Sequence, residues 1–349
     1  PAEQPWLNSP ACGALYAEHA RFVYYLALRL LGDEAQAEDA AHDIFLKAFR
    51  KIALFRGESN VRTWLYRITI NHCQNCLRKW HHRNVLSNAD DAVWETAPSA
   101  EDSPLRVLEI KELGIMPVVV FNFKQGPCSD VNLRNAILSC LDMDELMMAA
   151  QGDESLYYLN PSVMQKSSRW WTDESLGKYD KVDLEKAREY LKASSYDGKP
   201  LVFITTKAND YFYKTALVIQ QMVKPIGVEI DLQVYDNPTL QQYRNQPDKF
   251  DMFSGGLTAK VDPTLIAFMA EGWAGFYSSE KKSHFYKILT NESDFETRYK
   301  AWVEMTKVLY EELPVITFGE RNVAVVSRSG VHNLFDTTEK YYWNTWVSE

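Results

Sequence analysis

Arg67, Asn71, Asn75 and Arg78 follow one another at intervals of four, four and three residues, so on a helix they fall along one face, with Gln74 beside them. Amide side chains hydrogen-bond base edges and guanidiniums hold phosphates; a row combining the two suits nucleic-acid recognition. Phe55, Tyr66 and Trp80 add ring surfaces on which unpaired bases can stack. Between Arg50 and Arg83 stand eight Lys or Arg and one acid, Glu58, in a chain of net charge -9. A basic face on an acidic background is the footprint of a polyanion partner. The charges alone fit a solvated polar face equally well.

Such a row needs a helix anchored on its other side. The spacing predicts one helix from about Leu15 to Leu31, with Phe22, Leu26 and Leu30 in a stripe. Gly32 suits a left-handed stop, and Asp33 with Gln36 forms a capping-box start for a second helix. That helix puts Ala37, Ala41, Ile44, Ala48 and Ile52 on one face and gathers acids in its first turns, where its dipole favours them. A third helix starts near Asn60, with Val61, Leu65, Ile68, His72 and Cys76 as its inner stripe. Trp64, beside that stripe, reads as a core anchor more readily than as a DNA contact. The His72-Cys73 and Cys76 thiols, with His81 and His82 near, lack a second Cys/His pair elsewhere, so neither a metal site nor any cofactor is assigned.

Residues 12–112 resemble region 2 of the extracytoplasmic-function (group IV) sigma factors. The strings that carry this are Gly32-Asp33-Glu34, Ala37 through Arg50 (AEDAAHDIFLKAFR), Phe55-Arg-Gly-Glu-Ser59, Thr63-Trp-Leu-Tyr-Arg-Ile68, Asn71 and Asn75. The resemblance implies that the loop after helix two and the helix that follows hold a flipped-out base of the minus-ten promoter element on the non-template strand. It gives that role to Phe55, Arg56, Ser59, Arg67, Asn71 and Asn75, with Arg78 in the same row. It also implies docking on the RNA polymerase clamp through Asp39, His42 and Asp43, where the family usually has Gln-Glu in place of His42-Asp43. An anti-sigma factor is a further partner expected on this ground. Residues 104–112 are similar to the family's linker into region 4, yet the sequence changes character near Leu113.

From Gly114 the chain resembles the peptide/nickel-type solute-binding proteins of ABC importers. Val118 to Asn122, the Ser129–Leu146 run, Asp183 to Leu191, Val223 to Ile230, Val261-Asp262-Pro263 and Leu309 to Ile316 stand in that family's order. Leu201–Thr205, a helix, Gly227 and Val228–Val234 also read on their own as a βαβ unit. The resemblance places a ligand cleft at Gly255–Asp262 and implies a peptide or other small-molecule ligand, with Lys260, Asp262 and Trp273 as candidate ligand-binding residues. Peptide-binding members commonly carry a carboxylate a few residues before the Asp-Pro pair; here the neighbours are Ala259 and Lys260, which permits an anionic or acyl ligand. Lys260 pointing into solvent is the equal alternative. Trp170, Trp171 and Phe276 are candidates for the cleft or for plain packing. Full members have an N-terminal lobe before the Val118 strand, which these residues do not supply.

The fold class expected is therefore multidomain: an all-α three-helix unit over 1–83, a Ser-, Ala-, Asp- and Pro-rich linker over 84–113, and an incomplete α/β lobe of the periplasmic-binding-protein type II class over 114–349. With 46% hydrophobic residues there is material for two cores, and no run of eighteen apolar residues spans a membrane. Five irregularly spaced cysteines fit reduced thiols, and the first residues show no export signal, so a cytoplasmic location is expected, although the second family works outside the membrane. Neither half offers a nucleophile–base pair or a phosphate loop, so the chain reads as a non-enzyme. Three functions remain open at this level: promoter and polymerase binding with an appended solute-binding segment, a solute receptor, or a composite of two truncated proteins without an integrated role.

Overall fold

The computed structural model describes residues 10–52, 61–84, 105–110, 115–173, 177, 179–328, 330–332 and 345–347. They fall into two compact units, Pro1–Asp102 and Ser103–Glu349. The linker expected over 84–113 is shorter than that: Asn84 still belongs to a helix and Leu105–Ile110 form a strand of the second unit, because they pair with Val323–Arg328, while 85–104 and 111–114 lie outside the described residues.

The first unit holds α1 (Pro10–Leu31), α2 (Glu34–Lys51) and α3 (Val61–Asn84), each packed on the other two. Gly32, at φ 70°, turns the chain between α1 and α2, and its N–H donates to the Leu28 carbonyl at 2.8 Å. Asp33 then starts α2: its carboxylate accepts the Gln36 N–H at 2.8 Å. Phe22, Val23, Leu26 and Ala27 bury against Ala37, Ile44 and Ala48 of α2 and Leu65 and Cys73 of α3. The inner stripe of α3 differs from the expected one. Its buried residues are Leu65, Thr69, His72 and Cys73, while Val61, Ile68 and Cys76 are half-buried. Thr69 tolerates burial because its hydroxyl donates to the Leu65 carbonyl at 2.9 Å, one turn back.

The second unit opens with β1 (Leu105–Ile110) and β2 (Met116–Phe121), then α4 (Val131–Leu138), α5 (Met143–Gln151) and the short β3 (Tyr157–Tyr158). It continues through α6 (Leu184–Ala193), β4 (Leu201–Thr206), α7 (Asp210–Val223), β5 (Ile230–Tyr235), α8 (Asn237–Tyr243) and β6 (Met252–Leu257). Helices α9 (Glu280–Asn291) and α10 (Phe295–Glu312) precede β7 (Val315–Thr317), β8 (Glu320–Arg321), β9 (Val323–Arg328), β10 (Val331–His332) and β11 (Trp346–Val347). Five strands form one sheet in the order β5-β4-β6-β2-β7; β4 runs parallel to β5 and β6, and β2 antiparallel to β6 and β7. Every residue of β2 is buried, which explains its unbroken apolar run at the centre of a covered sheet. β1 pairs with β9, Leu105 opposite Arg328, so residues similar to a sigma linker form a strand of the second unit.

The Ser129–Leu146 run holds two helices, α4 and the start of α5. Ser139 to Leu141 separate them, and Asp142 starts α5 by accepting the Glu145 N–H at 2.8 Å. The βαβ unit stands as expected, with Gly227 at φ 84° closing the turn after α7. Gly275 sits at φ 98°, and a Cβ there would come within 2.7 Å of Val120 Cγ1 and 3.1 Å of the Phe121 carbonyl, so the loop before α9 can lie on β2 only as glycine. Trp302, wholly buried, centres the layer between α10 and the sheet and donates its Nε1–H to the Trp170 carbonyl at 2.7 Å.

Candidate functional site

On α3, at about 100° per residue, positions 67, 71, 75 and 78 span an arc of roughly 80°. The buried set Leu65, Thr69, His72 and Cys73 is centred roughly 145° away on the same wheel. Asn71 and Asn75 are both exposed on the outer arc. The anchor and the polar row therefore occupy opposing sides of one rod. Phe55, Arg56 and Ser59 lie outside the described residues, as do the side chains of Arg67, Arg78, Trp80, His81 and His82. Trp64 and Tyr66 are half-buried.

Asp39, His42 and Asp43 are all exposed on α2, beside Glu34 and Glu38. His42 and Glu38 also line a groove of about 500 Å³ between α1 and α2, walled by Tyr16, Tyr24, Tyr25 and Phe45. Burial, with the field of Glu34 and Glu38, pushes the Tyr24 phenol up to about 12, so the groove is neutral on its aromatic side. Asp43 also faces His72 Nε2 at 3.9 Å, while Lys47 donates to His72 Nδ1. This imidazole bridge ties the acidic row of α2 to α3. The sequence pattern showed His72 only as an inner-stripe residue, because its partners lie 25 and 29 positions earlier. Burial, and then Cys76, pushes the Cys73 thiol up to about 12 against the pull of Lys47. Among the described residues no group of three metal-ligating side chains gathers.

In the second unit, register brings four chain segments to one end of the sheet. Leu257, the end of β6, lies opposite Met116, the start of β2; Thr317, the end of β7, lies opposite Val118; and β4, parallel to β6, ends on the same side at Thr206. In open α/β sheets the carboxyl ends of the strands are where ligands bind. The loop that leaves β6 there carries Lys260 and Asp262. Lys260 is half-buried; its backbone N–H donates to Gln165 Oε1 at 3.4 Å, and its ammonium has no hydrogen-bond or ion-pair partner among the described residues. Asp262 is committed within the fold. One oxygen accepts from the Thr264 N–H and hydroxyl at 3.0 and 2.7 Å, and the other meets the Arg298 guanidinium at 2.6 Å. Burial pushes this carboxyl up, but the Thr264 and Arg298 bonds outweigh it and hold it below the usual carboxylate value. Trp273 sits elsewhere: its ring lies 6.0 Å from Phe253 and under Arg244, near the start of β6. Four residues of strand, about 13 Å, separate Phe253 from Leu257. The structure thus brings Lys260 and Asp262 into one loop and leaves Trp273 apart. Trp170 is a packing residue that ties this loop down, its Nε1–H donating to the Val261 carbonyl at 3.1 Å.

Comparison with known proteins matches residues 85–274, more than half the chain, to the model of the bacterial extracellular solute-binding proteins, family 5 (middle). The chain belongs to that family. Residues 15–83 match sigma-70 region 2, so an all-helical sigma unit precedes a solute-binding α/β unit. A probable peptide ABC transporter periplasmic-binding protein of Sinorhizobium fredii is 23% identical over 264 residues, covering 71% of this chain and 49% of that one. The RNA polymerase sigma-H factor of Pseudomonas aeruginosa is 46% identical over 52 residues, 15% of this chain and 27% of its own. The oligopeptide-binding protein AppA of Bacillus subtilis, solved with a nonapeptide, superposes with a TM-score of 0.61 at 16% identity, covering 79% of this chain and 58% of AppA. The chain spans about half the length of its solute-binding relative and about a quarter of its sigma relative. Neither family is enzymatic. Among the described residues no helix is long and apolar enough to cross a membrane.

Proposed function

We propose that the first unit binds the non-template strand of a minus-ten promoter element and the RNA polymerase clamp, and so takes part in transcription initiation in the cytoplasm. The observation that carries this reading is the two-sided α3: Asn71 and Asn75 exposed on the arc of Arg67 and Arg78, with Leu65, Thr69, His72 and Cys73 buried behind them. An extruded base costs a few kcal/mol of lost stacking, which paired amide bonds and an aromatic platform return. The exposed Asp39, His42 and Asp43 supply the polar contact for the polymerase, and an anti-sigma factor would compete for the same helices. Fluorescence anisotropy of the full chain with a labelled minus-ten single strand tests this. Specific binding exceeds that of a scrambled strand; equal affinity for both strands would refute the reading.

A second reading concerns the second unit, where the loop after β6, at the carboxyl end of that strand, holds Lys260 with no partner for its ammonium among the described residues. We infer that this unit is a receptor lobe for a peptide or related small molecule, as in the ABC-importer relatives. Calorimetric titration of the full chain with short peptides and organic acids tests it, and no heat from any of them would remove it.

A further inference from the structure

The loop after β6 is unusually well tied for a segment that exposes apolar side chains. Trp170 Nε1–H holds the Val261 carbonyl, Asp262 is fixed by Thr264 and Arg298, and the Tyr286 hydroxyl donates to the Thr264 carbonyl at 3.1 Å. Within that frame Val261 is 84% and Leu265 55% exposed, two of the few large apolar side chains so exposed among the described residues. Beside them Lys260 carries an ammonium with no partner among the described residues. The carboxylate two positions on does not neutralise it, because Arg298 already holds Asp262. Gln165, 3% exposed, turns its oxygen to the Lys260 N–H and leaves its amide nitrogen buried with no acceptor among the described residues. A buried donor without an acceptor is costly, so the Gln165 amide favours an acceptor oxygen beside it.

We infer that the loop Lys260–Leu265, with Gln165, is the binding site for an amphipathic organic anion. Its carboxylate or equivalent oxyanion meets the Lys260 ammonium and the Gln165 amide, and its apolar body lies over Val261 and Leu265. The inference rests on the receptor-lobe reading and sharpens it: charge selects an acid here, against a cationic or neutral solute.

Isothermal titration calorimetry of the full chain with octanoate, octanamide, octylammonium and trialanine tests it, using the wild type, Lys260→Gln and Val261→Ser. Octanoate binds the wild type, while the amide and the ammonium bind far less. Lys260→Gln weakens octanoate by about tenfold to a hundredfold, the range for losing a hydrogen bond to a charged group. Val261→Ser weakens it by about fivefold through lost apolar contact. Val261 is exposed, and half-buried Lys260 has no partner for its ammonium among the described residues, so unchanged circular dichroism and melting temperature accompany these losses. Equal binding of octanamide or octylammonium, or an octanoate affinity indifferent to Lys260→Gln, overturns the inference. Trialanine binding that ignores Lys260 overturns it while leaving the receptor-lobe reading in place; silence from all four probes removes both.

Discussion

Replacing Asn71 by alanine isolates the base contact proposed for α3 from its packing. Asn71 is exposed, on the arc opposite the buried Leu65, Thr69, His72 and Cys73, so its truncation changes stability by no more than about 0.5 kcal/mol. A side-chain amide paired to a base edge is worth about 1–3 kcal/mol of discrimination. At about 1.4 kcal/mol per tenfold, the minus-ten strand should bind about 5- to 150-fold more weakly, and a scrambled strand unchanged. Salt provides an internal control. Of the cations on α3, Arg62 lies over the Phe22 ring at 4.7 Å, which leaves Arg67, Arg78, Lys79 and Arg83 for phosphates. Four contacts to a single strand give a log–log salt slope of about -2.8, or about a 50-fold loss between 50 and 200 mM salt. Asn71→Ala should shift this line without tilting it, because the amide carries no charge, whereas Arg78→Ala should flatten it by about 0.7. Anisotropy titrations at several salt concentrations measure both quantities. Equal weakening for specific and scrambled strands, or a slope altered by Asn71→Ala, would refute the assignment of Asn71 to a base.

Trp302→Ala should cost about 3–5 kcal/mol of stability, because it empties a wholly buried site and strands the Trp170 carbonyl; urea unfolding followed by tryptophan fluorescence of the second unit measures it. Gly275→Ala should destabilise the same unit by about 1–3 kcal/mol, since its φ of 98° and the 2.7 Å approach to Val120 leave a methyl group no room; a thermal melt unchanged by the substitution would disprove the contact. Asp262 has a folded-state pKa below its unfolded value, so its contribution is present above about pH 4 and is lost as pH falls through the folded value. Asp262→Asn should therefore lower stability at pH 7 and flatten the acid limb of the stability curve below about pH 4; a limb as steep as the wild type's would exclude Asp262 from acid unfolding.

Much of the first unit was legible from local signals. Gly32 and the Asp33–Gln36 cap act over three or four residues, and the period of Phe22, Leu26, Ile44 and Ala48 survives any packing that buries one side of a helix. Thr69 and Cys73 belong to the core, although neither residue type announces it in the sequence. Thr69 becomes apolar only after its hydroxyl bonds to Leu65, and Cys73 is buried because α1 and α2 close over it. The break at Ser139–Leu141 was hidden by apolar residues on both sides, and only the Asp142 cap marks it.

Sequence alone determined the two kinds of unit, their order, and the opposition of a polar row to an apolar stripe on α3, because these follow from periodicity and caps within one turn or one strand. Tertiary structure decided which distant groups meet. Arg298 takes Asp262 across 36 positions, Lys47 and Asp43 enclose His72, Gln165 comes under Lys260 across 95, and Trp273 goes to Phe253 instead of the loop after β6. These pairings depend on strand register and helix packing, so a side chain's neighbours in the chain carry no information about the charge it finally faces.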